Sequence, residues 1–180
     1  NISVLDSKEI HQTPGINLDD RLRDVPGFSL FRRSSSVVAH PTTQGVSLRG
    51  IGSSGASRSL VLWDGIPVND PFGGWVYWTR IPADDLDRIE ISRGASTSVF
   101  GDRAMGGAIS IVSREPERQR LSAGYEGGNR NSHDAWLGYS HTWSLWAVSG
   151  HGRAYSTDGY FIVPETVRGA VDHRAGVRFV

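Results

Sequence analysis

The chain has 180 residues, enough for one ordinary domain or for one small domain with part of another. Lys and Arg together number 19, as do Asp and Glu, and this zero net charge argues against a generic nucleic-acid-binding protein, whose surface normally carries a basic excess. The absence of cysteine excludes a disulfide framework and a thiolate metal site.

The start of the chain predicts three short elements. Residues 3–5 are typical of a short strand, and Asp6 and Glu9 then have the spacing of a capping box at the start of a brief helix. After Pro14-Gly15, Asn17 is expected to cap a second helix. The apolar residues of this helix recur on one face, which predicts that the face is buried: Leu18, Leu22 and Val25.

A strand over residues 28–31 and a polar loop over residues 32–44 lead into the most informative stretch of the chain. Val46 and Leu48 alternate with polar neighbours, as in a half-buried strand. After a glycine- and serine-rich loop, residues 60–63 (LVLW) form a continuous apolar run, which predicts a more deeply buried strand.

Turn signals and aromatic residues follow this run. Asp64-Gly65 predicts a tight turn into a third short strand. Residues 70–78 (DPFGGWVYW) contain four aromatic side chains broken up by proline and glycine, which is not typical of a core strand. Asp84 and Asp85 are expected to be solvated charges in a short turn.

Two further strands are predicted before a domain boundary. Leu86, Ile89 and Ile91 are apolar among polar and charged neighbours, and a turn-rich segment leads to a strand over residues 108–112. Glu115-Pro116-Glu117 is the predicted boundary.

Beyond that boundary the hydrophobic pattern changes to a period of two. Four or so strands of about ten residues are expected, as in a membrane barrel, although the strands of a soluble sandwich would show the same alternation. Residues 127–129 predict a loop and residues 142–144 a tight turn. The apolar faces of these strands hold Leu121, Ala123 and Tyr125, then Ala135, Leu137 and Tyr139, and finally Val171, Ala175, Val177 and Phe179.

One local pattern suggests a nucleotide site and fails a closer test. Residues 50–55 (GIGSSG) match the dinucleotide fingerprint, which requires a following helix whose N-terminus meets the pyrophosphate. Because a strand is predicted from Leu60, no crossover helix fits in between. The lysine of a P-loop and the second glycine of a nucleophile elbow around Ser47 are also missing from this region.

No group of residues forms a catalytic or metal-binding pattern. The six histidines are scattered, with no pair at helical spacing. His141 and His151 could meet across a hairpin, but a position on the protein surface or facing a barrel lumen is favoured over a metal site. We therefore expect no catalytic residue, no resident metal and no cofactor, and predict that the protein is not an enzyme.

Four segments, in this order and spacing, resemble the plug domain of TonB-dependent outer-membrane receptors. They are Leu48-Arg49-Gly50, the apolar strand with its turn at residues 60–65, the segment IEISRG at residues 89–94 and the segment FGDRAMGG at residues 100–107. One departure is Ala95, which stands where the family often has proline. The resemblance covers residues 2–116 closely and the remainder only by its alternating pattern.

The resemblance implies the fold class and the domains. We expect an α+β plug domain, a small mixed sheet with short helices, over residues 1–116. Residues 117–180 would be the first antiparallel strands of a transmembrane β-barrel. Bacterial barrels start at about eight strands and plugged transporters have about 22, so the wall is expected to continue outside this chain.

The resemblance also implies a function and its partners. The expected activity is TonB-dependent active transport of a scarce nutrient across the outer membrane of a Gram-negative bacterium, with the plug gating the barrel lumen. The ligand would be a siderophore, cobalamin, another metal chelate or an oligosaccharide. The expected partners are TonB with its inner-membrane energising complex, that ligand and outer-membrane lipid, with no nucleic acid.

The same resemblance implies roles for individual residues. Arg49 and Arg93 match plug arginines that pair with barrel glutamates and hold the plug in the lumen, and Glu90 belongs to the same anchoring segment. Ligand contacts are expected from plug loops on the extracellular side, where aromatic faces suit a bulky ligand. These residues are Arg33, Ser35, Ser36, His40, Phe72, Trp75, Tyr77 and Trp78.

Other readings stay open from the sequence. The aromatic residues could instead pack under extracellular barrel loops. The TonB box normally precedes the first plug strand, and nothing before Ser3 matches it, so energy coupling is inferred from the resemblance. The chain could also be a stand-alone periplasmic binding or adhesion module, or a secreted β-rich carbohydrate-binding protein, for which the tryptophan-rich segment is the best argument.

Overall fold

The computed structural model describes residues 2–31, 35–40, 43–48, 57–94 and 97–180. The chain divides into two units, residues 1–115 and 116–180. Within the described ranges, no helix is both long and apolar enough to cross a membrane.

The first unit is a mixed sheet with short helices. Its strands are β1 (Ile2–Asp6), β2 (Phe28–Leu30), β3 (Val46–Leu48), β4 (Leu60–Trp63), β5 (Ile66–Pro67), β6 (Leu86–Arg93) and β7 (Gly107–Ser113). Its α-helices are α1 (Ser7–Gln12), α2 (Leu18–Arg21) and α3 (Thr97–Phe100), and its 3-10 helices are Leu22–Asp24, Trp78–Arg80, Ala83–Asp85 and Asp102–Ala104. Five strands form one sheet in the order β1-β6-β7-β4-β5, and β2 pairs with β3 separately.

Strand β7 lies at the centre of the five-stranded sheet. It pairs antiparallel with β6 and parallel with β4, so that Ile109 lies opposite Ile91 on one side and opposite Val61 on the other. These three side chains are fully buried in one continuous core. The fold class predicted from the sequence is therefore confirmed for this unit.

The N-terminal helices form as the sequence predicts. The Oδ1 of Asp6 accepts a hydrogen bond from the backbone N–H of Glu9 at 2.8 Å, and the Oε2 of Glu9 accepts one from the N–H of Asp6 at 3.1 Å. This is the predicted capping box at the start of α1. The predicted buried face of the second helix is also confirmed, because its three apolar residues all lie in the core: Leu18, Leu22 and Val25.

The Asp64-Gly65 turn is fixed by its backbone and by the central strand. Asp64 has a φ of 48° and Gly65 a φ of 80°, the left-handed pair that a two-residue hairpin requires. The Oδ1 of Asp64 accepts a hydrogen bond from the N–H of Ser113 at 2.8 Å, which ties the turn to the end of β7.

Two details of this unit differ from the sequence prediction. Ser47 is buried at 1% exposure together with both of its neighbours in β3, so the strand is not half-exposed. Asp84 is not simply solvated, because it forms a half-buried ion pair with Arg21 at 3.5 Å. Both differences come from tertiary packing that local alternation does not report.

Gly107 begins β7 at a point where no side chain fits. Its φ is +120°, and a Cβ added there would lie 2.3 Å from the carbonyl oxygen of Ser92 and 2.8 Å from Cδ1 of Leu48. The last glycine of the FGDRAMGG segment is thus required by the close approach of β6.

The second unit is a meander of antiparallel strands. They are β8 (Gln119–Gly128), β9 (Ser132–Thr142), β10 (Ala147–Thr157) and β11 (Val177–Phe179), and they pair in sequence order. The loop between β8 and β9 spans residues 129–131, where the sequence predicted 127–129. The turn between β9 and β10 spans residues 143–146, where the sequence predicted 142–144.

The last strand is shorter than predicted. Only residues 177–179 pair with β10, because residues 158–176 form a loop that is closed by a bridge between Phe161 and Arg174. Val171 and Ala175 therefore lie outside any strand, and the predicted apolar face of four residues reduces to Val177 and Phe179.

The register of the second unit separates an apolar face from a polar face. Leu121 lies opposite Tyr139, and Ala123 opposite Leu137, on a face where Leu121 is 71% and Leu137 54% exposed. The opposite face carries a half-buried ion pair, in which Nε of Arg153 donates to Oδ1 of Asp134 at 2.9 Å. This alternation is the pattern of strands that have lipid on one side and a polar interior on the other.

Aromatic residues lie at both ends of the apolar face. At one end, Oη of Tyr125 and Nδ1 of His133 form a hydrogen bond of 2.6 Å, and Nε2 of the same histidine pairs with Oδ1 of Asn131 at 2.9 Å. At the other end, the turn presents the exposed rings of Trp143 and Trp146. Such girdles flank the apolar band of membrane strands.

We predict that Gly107→Ala destabilises the first unit by about 2–4 kcal/mol, because the new Cβ meets the Ser92 carbonyl and the backbone angle disfavours any side chain. Thermal or urea unfolding measures this loss. Ser110→Ala, in the same strand but on a half-exposed position, is the control and should change stability by less than about 0.5 kcal/mol. Equal stability of the two variants would contradict the assigned constraint.

Candidate functional site

A buried polar cluster fixes the segment from Ser35 to His40. Nδ2 of Asn17 donates to Oγ of Ser36 at 2.7 Å, and that hydroxyl donates to Oδ1 of Asp19, also at 2.7 Å. All three residues are at most 3% exposed. The cluster joins the start of α2 to this segment, so Ser36 supports the loop and its hydroxyl cannot reach a ligand, contrary to the sequence prediction.

The other predicted residues of this loop lie nearer to solvent. Ser35 is half-buried and its Oγ donates to Oδ2 of Asp20 at 3.4 Å. His40 is exposed, and its carbonyl oxygen accepts a hydrogen bond from the N–H of Thr43 at 3.0 Å. Arg33 lies outside the described residues.

Asn69 holds the aromatic turn that follows β5. Its Oδ1 accepts a hydrogen bond from the N–H of Val61 at 2.7 Å, and its Nδ2 donates to the carbonyls of Ser59 and Gly74 at 3.2 and 3.0 Å. With all its polar atoms paired and only 8% of its surface exposed, Asn69 fixes the turn to the start of β4.

The turn itself is closed by an aspartate and presents a phenylalanine. Oδ1 of Asp70 accepts hydrogen bonds from the N–H groups of Phe72 and Gly73 at 3.0 and 2.8 Å. Phe72 is 98% exposed. A rigid turn thus holds an aromatic ring entirely in solvent, where a ligand could pack against it.

A cleft of about 530 Å³ lies beside this turn. It is lined by residues 57–59, 69–74, 103 and 105, among them the exposed Arg58 and Arg103. Ser59 is 1% exposed, and its Oγ has no hydrogen-bond partner among the described residues. The volume falls within the usual range of small-molecule sites, and most of the lining residues are polar, with two cationic side chains and one aromatic ring.

The predicted aromatic contacts separate into surface and core residues. Trp75 is half-buried, and its ring covers Gly73, where an added Cβ would lie 1.5 Å from Cζ3 of that ring. Tyr77 is also half-buried, under the guanidinium of Arg80 at 4.6 Å. Trp78 is 0% exposed and packs edge-to-face on a core phenylalanine, so its prediction as a ligand contact conflicts with its burial.

The predicted anchoring residues are only partly described. Arg49 lies outside the described residues. Arg93 donates from Nη2 to Oγ of Ser3, and its Nε is buried with no hydrogen-bond partner in the described part of the chain. Glu90 instead pairs with Arg88 in the same strand, with Nε donating to Oε1 at 2.8 Å.

The Arg88 pair is a surface feature. The pKa of Arg88 is raised above its ordinary value, mainly by the hydrogen bond to Glu90 and then by the hydrogen bond to Asp87. Both partners of the Arg88–Glu90 pair are more than 40% exposed, so solvent screens the pair and it contributes little to stability.

The structure also places the residues considered for metal or nucleotide chemistry. The described ranges contain no group of three His, Cys, Asp or Glu residues that could hold a metal ion. His141 lies opposite Val148 and His151 opposite Gly138, which puts the two histidines on opposite faces of the sheet. The glycine-rich pattern of residues 50–55 lies outside the described residues.

Sequence reasoning missed the polar residues that support the site. Asn69 begins the run NDPFGG, a turn signal that indicates a loop but not which side chain fixes it. Arg58 and Arg103 lie 45 positions apart in the sequence. The parallel pairing of β4 with β7 and the hydrogen bond from Gly106 N–H to the Arg58 carbonyl at 2.9 Å bring their segments together.

Comparison with known sequences identifies the first unit. The family model described as "TonB-dependent Receptor Plug Domain" matches residues 1–108. The chain is 30% identical over 126 residues to the ferric enterobactin receptor PirA of Pseudomonas aeruginosa, covering 64% of this chain and 16% of that protein. It is 31% identical over 152 residues to the vitamin B12 transporter BtuB of Vibrio vulnificus, covering 83% of this chain and 22% of that protein.

Solved structures share the fold of both units. The siderophore receptor PirA of Acinetobacter baumannii superposes with a TM-score of 0.69 at 20% identity, covering 98% of this chain and 27% of that one. The copper transporter OprC superposes with a TM-score of 0.65 at 23% identity, covering 89% of this chain and 24% of that one. The chain therefore spans between 16% and 27% of the length of these four proteins.

Proposed function

Because the chain belongs to the TonB-dependent receptor family, we propose that it takes part in the active uptake of a scarce nutrient across the outer membrane of a Gram-negative bacterium. We assign residues 1–116 as the plug that gates the lumen and residues 117–180 as strands of the surrounding wall. The observation that carries this proposal is the pairing of a plug-type sheet with strands whose apolar face is exposed and flanked by aromatic residues.

The apolar face of the second unit supports the membrane part of the proposal. A soluble protein rarely exposes a continuous sheet face of leucine, tyrosine and valine, because burial of that face is worth about 25 cal/mol per Å². Outer-membrane lipid would cover this face. The polar face, with its Arg153–Asp134 pair, would then line the interior.

The ligand site is proposed on the plug surface. Phe72 and Trp75 supply aromatic faces on a turn that Asn69 holds rigid, and Ser35 and His40 lie on a loop fixed by the buried cluster around Ser36. We leave the two buried residues, Ser36 and Trp78, out of the contact set. The relatives named above are described as receptors or transporters for ferric enterobactin, vitamin B12 and copper, so a metal chelate is the favoured class of ligand.

Anchoring of the plug is proposed to rest on Arg93 among the described residues. Its buried Nε needs an acceptor, and a carboxylate on the barrel wall would supply one. Glu90 is omitted because its carboxylate already pairs with Arg88. TonB, energised from the inner membrane, would act on the plug to open the path.

Deletion of the gene should abolish growth when the transported chelate is the sole source of its metal or cofactor, and loss of TonB should have the same effect. A panel of single-nutrient media identifies that chelate. Complementation with the intact gene must restore growth in the presence of TonB only. Restored growth without TonB would contradict active transport. In a separate test, a purified protein that stays soluble without detergent would favour a stand-alone binding module instead.

Arg93→Ala should loosen the plug, because breaking one partner of a buried charged pair costs about 3–5 kcal/mol. Cells that carry this variant should become sensitive to large antibiotics that the intact outer membrane excludes. Arg88→Ala removes a positive charge from the same strand at an exposed pair and serves as the control. Equal antibiotic resistance in both variants would count against the anchoring role.

A further inference from the structure

A second cleft, of about 800 Å³, lies at the end of the second unit where β9 turns into β10. We call it the turn cleft, and its lining residues are Arg118, Gln119, His141, Thr142, Trp143 and Ser144. The connection over residues 158–176, at the opposite end of these strands, is much longer than this turn. Outer-membrane barrels have short turns on the periplasmic side and longer loops on the extracellular side. The proposed wall therefore places the turn cleft at the periplasmic leaflet of the membrane.

The apolar face of the second unit extends to the rim of the turn cleft. His141 follows Tyr139 on this face of β9 and lies opposite Val148 of β10. The ring centroids of His141 and Trp143 are 4.2 Å apart. The turn adds three exposed apolar side chains, which are those of Trp143, Leu145 and Trp146. Because tryptophan is enriched at the level of lipid headgroups, a lipid that covers the apolar face would bring its headgroup to this cleft.

Arg118 supplies the positive charge of the turn cleft. Its side chain is exposed and forms no ion pair with any residue that the structure describes. Glu117, the preceding residue, pairs instead with Arg120 at 4.0 Å. None of the six lining residues is acidic. An arginine without a counter-charge at a membrane surface attracts an anionic headgroup, and phosphate oxygens accept strong hydrogen bonds from a guanidinium group.

His141 adds a second hydrogen-bond donor to the turn cleft. Its Nδ1 is buried and has no hydrogen-bond partner in the described ranges, whereas its Nε2 is not buried. A neutral imidazole carries one N–H group, and a buried N–H without an acceptor costs free energy. The proton is therefore expected on Nε2, from which it can be donated to a group in the cleft.

We propose that the turn cleft binds the phosphate group of a phospholipid from the periplasmic leaflet. Arg118 binds one phosphate oxygen and Nε2 of His141 donates to another, while the acyl chains lie along the apolar face next to Tyr139. A soluble phosphate would meet the same two donors but would leave the exposed tryptophans of the turn uncovered, which favours a lipid as the occupant. The inference rests on the proposed uptake function, because it requires the second unit to be part of the membrane wall.

Native mass spectrometry of the full-length receptor in detergent measures the affinity for three probes. Phosphatidylglycerol has both the phosphate and the acyl chains, diacylglycerol with the same chains lacks the phosphate, and glycerol phosphate lacks the chains. Phosphatidylglycerol should bind at least about tenfold more tightly than diacylglycerol, because its phosphate accepts a charge-assisted hydrogen bond from Arg118. Glycerol phosphate should bind more weakly than phosphatidylglycerol, because it covers no apolar surface.

Substitutions then assign the phosphate to the turn cleft. Arg118→Gln should weaken binding of phosphatidylglycerol about tenfold and leave binding of diacylglycerol unchanged. His141→Phe keeps a ring beside Trp143 but removes the donor, and should weaken binding of phosphatidylglycerol about fivefold. Lys8→Gln removes one positive charge from the exposed side of α1 and should bind both lipids like the wild type. Circular dichroism verifies that the variants are folded.

The outcomes separate this inference from the function on which it rests. Equal affinity for phosphatidylglycerol and diacylglycerol, or wild-type affinity for phosphatidylglycerol in the Arg118→Gln variant, would overturn the phosphate site while leaving a lipid-covered wall. Glycerol phosphate that binds as tightly as phosphatidylglycerol would overturn the choice of a lipid as the occupant. A receptor that binds neither lipid and stays soluble without detergent would count against the inference and the proposed membrane function together.

Discussion

A β-sheet must cover its apolar face, and the two units of this chain meet that requirement in opposite ways. In the first unit the chain covers its own sheet, because the buried residues of β4, β6 and β7 share one core with Leu18 of α2, Leu22 and Trp78. In the second unit the chain leaves the apolar face of β8 and β9 open, with Leu121 71% exposed. The proposed membrane location of the second unit rests on that difference.

The covered sheet provides a rigid frame on which the loops of the first unit are mounted. Central strand β7 fixes the Asp64 turn through Ser113, and Asn69 fixes the aromatic turn to the start of β4. The buried cluster around Ser36 does the same for the other loop. Side chains proposed to meet a ligand are thus carried on backbone that is held by buried hydrogen bonds, which keeps their positions defined.

The sequence predicted features that depend on local chemistry and missed those that depend on tertiary packing. The capping box at Asp6 and the buried face of the second helix could be read because both are set by residues within two turns of each other. The burial of Trp78 could not be predicted, because a Pro- and Gly-rich aromatic segment has no periodicity that shows which ring is buried. The cleft arginines Arg58 and Arg103 come together only through contacts between segments that are distant in the sequence.

Cysteine labelling in β9 tests the central claim most directly, because the chain has no native cysteine. Leu137→Cys places a thiol on the apolar face, and Asn129→Cys places one in the exposed turn between β8 and β9. In intact outer membranes, a water-soluble maleimide should label Cys at position 129 rapidly and leave position 137 unlabelled until the membrane is dissolved. Equally rapid labelling at both positions would show that water, not lipid, covers this face.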